Sequence, residues 1–121
     1  MPRAVRVGGA PYRRGMDERT RGREQLAEAA ADLVARPDVG VGRMFGSEGY
    51  SVRGKLFAFV AADGRLVVKL PSERIHELEL DHMIMRGSPM REWAAVPFDA
   101  GAERWRQLAD EAYDFVGSLT A

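Results

Sequence analysis

VGRMFGSEGYSVRGKLFAFVAADGRLVVKL, residues 41–70, reads as a run of short β-strands joined by tight turns. Asp63-Gly64 sits between two apolar runs and is the strongest hairpin signal in the chain. A type I′ turn needs positive φ at both central residues, which Asp tolerates and Gly adopts freely. A two-residue turn there predicts a register: Ala61 faces Leu66, Phe59 faces Val68 and Phe57 faces Leu70. Strand side chains alternate, so these six residues share one face. The opposite face then carries Leu56, Ala58, Val60 and Ala62 against Lys69, Val67 and Arg65. The first face is expected to be buried and the second to be mixed.

Arg53-Gly54 repeats the signal more weakly, since Arg in a left-handed conformation costs roughly 1 kcal/mol. It sets Val52 opposite Lys55 and Tyr50 opposite Phe57. Gly46-Ser47-Glu48-Gly49 reads as a third turn, from a strand near residues 43–45 to one at residues 50–52. Three turns give four antiparallel strands, and one buried sheet face requires helices over it.

Two helices are legible. Within residues 17–36, Leu26, Ala29, Ala30, Leu33 and Val34 form one apolar stripe, Asp17 or Thr20 offers a cap, and Pro37 ends the helix. In the last segment Trp105, Leu108, Ala109, Ala112, Val116 and Leu119 form a second stripe, with Asp99 as its cap. Both are expected on the inner face of the sheet. Between sheet and last helix, Ser72 caps a short helix bearing Ile75 and Leu78 to about Leu80, Met83-Ile84-Met85-Arg86 is a short apolar run broken by Gly87-Ser88-Pro89, and residues 91–96 alternate as a further strand with Trp93 and Ala95 on one face. The expected fold is therefore α+β: an antiparallel β-meander with N- and C-terminal helices on one face.

The 121 residues fit one domain. The absence of Cys excludes a disulfide framework and a Cys-ligated metal. No stretch approaches the ~18 apolar residues of a membrane span, and no secretory signal is visible, so a cytoplasmic location is expected. Sixteen Arg stand against two Lys, as in a GC-rich genome. Net charge is zero, but residues 1–16 carry Arg3, Arg6, Arg13 and Arg14 without an acid. Residues 1–16 are read as a loose basic arm or an incidental leader ahead of Met16, and residues 17–121 as the domain.

Candidate chemistry is sparse. His76 and His82 are six residues apart, about 600° of helical rotation, so they would point to different faces rather than share an ion. Ser-His-Asp and Cys-His sites lack components, no phosphate-cradling glycine loop occurs, and Gly46-x-x-Gly49 is explained by a turn. No cofactor or metal set emerges, and the chain reads as non-enzymatic. Three surfaces remain: an apolar sheet face at Leu56, Ala58, Val60 and Val67 that suits a protein partner or self-association; a pocket at Tyr50, Met90 and Trp93 that suits a small molecule or a reaction; and the Arg3, Arg6, Arg13, Arg14 arm, extended by Arg19, Arg21 and Arg23, that suits nucleic acid.

Several segments, in order, resemble the N-terminal domain family of TfoX (Sxy) proteins, related in shape to the MmcQ/YjbR group. They are Arg43-Met44-Phe45-Gly46, Gly49-Tyr50, Arg53-Gly54-Lys55-Leu56-Phe57-Ala58, Leu66-Val67-Val68-Lys69-Leu70 and Pro89-Met90-Arg91-Glu92-Trp93-Ala94-Ala95-Val96-Pro97, with Trp105 near the start of the last helix. The resemblance spans residues 43–116. It implies an antiparallel sheet packed with helices and supplies no catalytic residues. Full-length members of the family regulate bacterial competence and carry a second, C-terminal domain; the resemblance itself implies little about activity. The expectation of a non-enzymatic domain that acts by protein contact, as a regulator, rests on the intact core pattern, the missing catalytic constellations and the semi-apolar sheet face.

Overall fold

The computed structural model describes residues 10–44 and 47–119. Six strands form one antiparallel sheet: β1 (Val39–Met44), β2 (Ser47–Val52), β3 (Lys55–Val60), β4 (Leu66–Lys69), β5 (Asp81–Met85) and β6 (Ser88–Val96), in the order β1-β2-β3-β4-β6-β5. The first four are the meander. The chain then crosses through helix α3 (Ser72–Glu77) to the far edge, and β6 returns between β5 and β4. Helix α1 (Ala10–Ala29), the short α2 (Ala31–Val34) and α4 (Ala102–Leu119) complete the layer on one face.

The helices bury the stripes that the spacing marks. Leu26, Ala29, Ala30 and Leu33 are buried on the first, Trp105, Leu108, Ala109, Ala112 and Val116 on the last, while Val34 and Leu119 at the stripe ends are exposed. Two boundaries differ from expectation. α1 begins at Ala10, so part of the expected loose arm continues the helix backbone. Asp99 lies in a 3₁₀ turn (Phe98–Ala100), and Gly101, at φ 94°, leads into α4. α3 stops where Glu79 adopts φ 56°; the Leu80 and Glu79 amides then donate to the Ile75 and His76 carbonyls, closing the orphan end.

The turns correct the expected register. Arg53-Gly54 is the two-residue turn predicted, with φ of 52° and 85° and Val52 paired to Lys55. Arg86-Gly87 is a second turn of this kind, pairing Met85 with Ser88. Asp63-Gly64 is not. The Ala61 amide donates to the Arg65 carbonyl and the Gly64 amide to the Ala61 carbonyl, so the loop holds three residues with Gly64 at φ 88°. Val60 therefore pairs with Leu66 and Phe59 with Val67, one residue away from the expected register. The reason is tertiary: α1 rests on this loop. A Cβ on Gly22 would stand 2.6 Å from the Gly64 carbonyl oxygen, and one on Gly64 would stand 2.5 Å from that of Glu18. The Ser47-Glu48-Gly49 segment, expected as part of a turn, is strand: Ser47 pairs with Met44 and Gly49 with Gly42. The two residues between β1 and β2, Phe45 and Gly46, fall outside the described residues.

A bulge completes the correction. Tyr50 pairs with Ala58 and Ser51 with Leu56, leaving Phe57 as an extra residue on β3. Phe57 stays under the helices, but the alternation is reset after it. Ala58 and Val60 turn inward, to the core that holds Leu66, Val68 and Leu70. Phe59 and Ala61, expected inside, turn to the opposite face.

Candidate functional site

The face away from the helices carries a second apolar cluster. Phe59, Ala61 and Val67 are buried there, with Leu56, Met83 and Trp93 half-buried against them, and all six come from strands or the loop that follows β3. Phe59 and Trp93 meet ring to ring with centroids 5.8 Å apart. The β5–β6 pairing shifts register between His82 and Ile84, where the His82 ring Nδ1 lies 3.0 Å from the Met90 carbonyl oxygen. This distal part of the hairpin brings Met83, Met85 and Met90 to Leu56, Phe59, Val67 and Trp93, and together they line a cavity of about 100 Å³.

Two wider clefts adjoin it. One, of about 290 Å³, is lined by Lys55, Leu56, Lys69 and Trp93, with Val116 and Leu119 from the last turns of α4. The other, of about 470 Å³, is lined by Lys69, Ser72, Met90, Arg91, Glu92 and Trp93. Trp93 is a wall of all three. Lys69 reaches over its indole, 5.4 Å from the ring centroid, and stands 3.8 Å from Glu92.

The sequence-derived site residues are redistributed. Of the expected outer face, Leu56 and Val67 lie on the helix-free side, whereas Ala58 and Val60 are fully buried on the helical side. Of the expected pocket, Met90 and Trp93 come together, but Tyr50 is buried in the main core on β2. Of the basic arm, Arg3 and Arg6 lie outside the described residues, and Arg13 and Arg14 fall within α1. Arg21, in the same helix, stacks its guanidinium 4.6 Å from the centre of the Phe98 ring. His76 sits exposed on α3 and His82 is tied to Met90; among the described residues no group of three His, Asp or Glu side chains is placed to hold a metal.

Phe59, Lys55 and Lys69 are the site residues that the sequence did not single out, while the Met83, Met85 and Met90 cluster is visible there as either core filler or an adaptable binding surface. The signal for the lysines was present: the chain uses Arg sixteen times and Lys only twice, and both lysines line the same cleft.

The perturbed ionisations belong to the helical layer. Arg74 of α3 and Glu111 of α4 form a fork of two 2.9 Å hydrogen bonds, which holds the Glu111 carboxyl below its ordinary range. Arg106 does the same to Glu103 one turn away. These pairs pin helices rather than assemble a reactive centre. No helix is long and apolar enough to cross a membrane among the described residues.

The sequence matches no family model, and comparison with curated proteins returns no similar chain.

Proposed function

We propose that this chain is a non-catalytic, TfoX N-terminal-like regulatory domain of the cytoplasm that engages a protein partner with the helix-free face of its sheet. One observation carries the reading. Leu56, Met83, Met85, Met90 and Trp93 leave a half-buried apolar surface on a sheet face over which none of the described helices packs. Contiguous apolar surface of this kind marks contact sites, and methionines adapt to varied partners. The resemblance in segments and their order supports the family reading, and the antiparallel sheet with its helical layer agrees with the family's fold.

A photo-crosslinking residue placed at Met85 or Met90 tests this in the native host. Val41, an apolar side chain 55% exposed on the edge strand β1, is the control position. The expected result is a discrete adduct from Met85 or Met90 and none from Val41. Equal labelling at all three positions, or none at any, defeats the reading.

A further inference from the structure

We propose that the cavity and the cleft beside it form one binding site for a small carboxylate with an apolar acyl or aryl body. Lys55 and Lys69 would hold the carboxylate, and Leu56, Phe59, Met85, Met90 and Trp93 would enclose the body. This goes beyond the partner reading and does not depend on it.

Continuity is the first support. Leu56 and Trp93 line both the cavity and the lysine cleft, so an apolar group seated in the cavity has its polar end at the lysines. Charge is the second. The chain as a whole is neutral, yet among the described residues the two clefts present Lys55, Lys69 and Arg91 against Glu92 alone. Arg91 lines only the wider cleft and Glu92 takes part of the Lys69 charge, so the lysine cleft itself is left with about one uncompensated positive charge, which a single carboxylate matches.

Availability is the third. Lys55 makes no ion pair among the described residues, and the Lys69 contacts to Glu92 at 3.8 Å and to Trp93 at 5.4 Å are loose. A surface pair of that geometry holds its cation weakly, so redirecting the ammonium to a ligand costs little. Size is the fourth. A cavity of about 100 Å³ is somewhat smaller than the roughly 150 Å³ apolar cavity that accepts benzene, and three pliable methionines in its wall can supply the difference. Ligand sites commonly join an apolar enclosure to a few convergent polar groups in this manner.

The test is a titration of protein carrying carbon-13 methionine methyl groups with 4-phenylbutyrate and, separately, with its neutral primary amide. The expected result is saturable shifts at Met85 and Met90 and at least ~10-fold tighter binding of the acid than of the amide. The double variant Lys55→Gln, Lys69→Gln, checked for an unchanged melting curve, should lose that preference while keeping the affinity for the amide. Absence of saturation up to millimolar concentration overturns the proposal, as does equal affinity for acid and amide or a preference that survives the double variant. Crosslinking to a protein partner needs no such ligand, so either proposal can fail alone.

Discussion

Lys69 and Trp93 face each other across the β4–β6 ladder, with the ammonium nitrogen 5.4 Å from the centre of the indole. The pair joins the two halves of the helix-free face. On one side of the indole lies the lysine cleft, and on the other lie Phe59 and the methionine cavity. Truncating the indole removes the wall common to both. Trp93→Ala is expected to destabilise the fold by about 2–3 kcal/mol, below the 3–5 kcal/mol typical of a fully buried Trp, because the side chain is only half-buried. Urea denaturation gives the magnitude.

The contact between α1 and the β3–β4 loop predicts an unusual sign. Ala is the better helix former by about 1 kcal/mol, so Gly22→Ala would ordinarily stabilise. Here the new methyl would stand 2.6 Å from the Gly64 carbonyl oxygen and 2.8 Å from Val60 Cγ1. Overpacking of that kind costs about 1–3 kcal/mol and forces backbone to move. A net loss of stability in denaturant melts is expected; a gain would mean that the helix does not rest on the loop.

Arg86 offers the opposite case. It holds φ 54° in the two-residue turn before Gly87 and is exposed. Asn tolerates this conformation far better, and Asn-Gly is the preferred pair for such turns. Arg86→Asn is expected to raise stability by up to about 1 kcal/mol, read as a higher melting temperature.

The Arg74–Glu111 fork predicts a pH dependence. Its hydrogen bonds hold the Glu111 carboxyl below the ordinary value of 4.5. The folded pKa is thus below the unfolded one, so the contribution is fully present above the unfolded value and is lost as pH falls through the folded one. Glu111→Gln should melt lower than wild type at neutral pH, and the two curves should converge in acid. A constant gap across the range would show that the charge plays no part. The effect is small, because both side chains are more than a third exposed.

Much of this fold is legible from local pattern, and what is not legible is tertiary. The stripes through Leu26–Leu33 and Trp105–Val116 locate the helices, because 3.6-residue spacing is a property of the segment itself. Arg53-Gly54 locates its turn for the same reason. Asp63-Gly64 misleads, because the loop that forms there answers to α1 at Gly22 and Glu18, which lie far off in sequence. The Phe57 bulge is equally hidden: nothing in KLFAFV announces an extra residue, yet it reverses the faces of Ala58, Phe59 and Val60. The candidate site suffers most from this. Trp93, Met90 and the Met83–Met85 cluster are identifiable from sequence, but the expected register places Phe59 on the helical side, and the methionines find their partners only through the hairpin.

A soluble gadolinium chelate, applied to protein with labelled methyl groups and an indole probe at Trp93, tests the open face most directly. The account predicts strong broadening at Met85, Met90 and the Trp93 indole, with Leu108, Ala109 and Val68 beneath the helices left sharp. Protection of Met85, Met90 and Trp93 equal to that of Leu108 would mean that this face is covered, and would contradict the account.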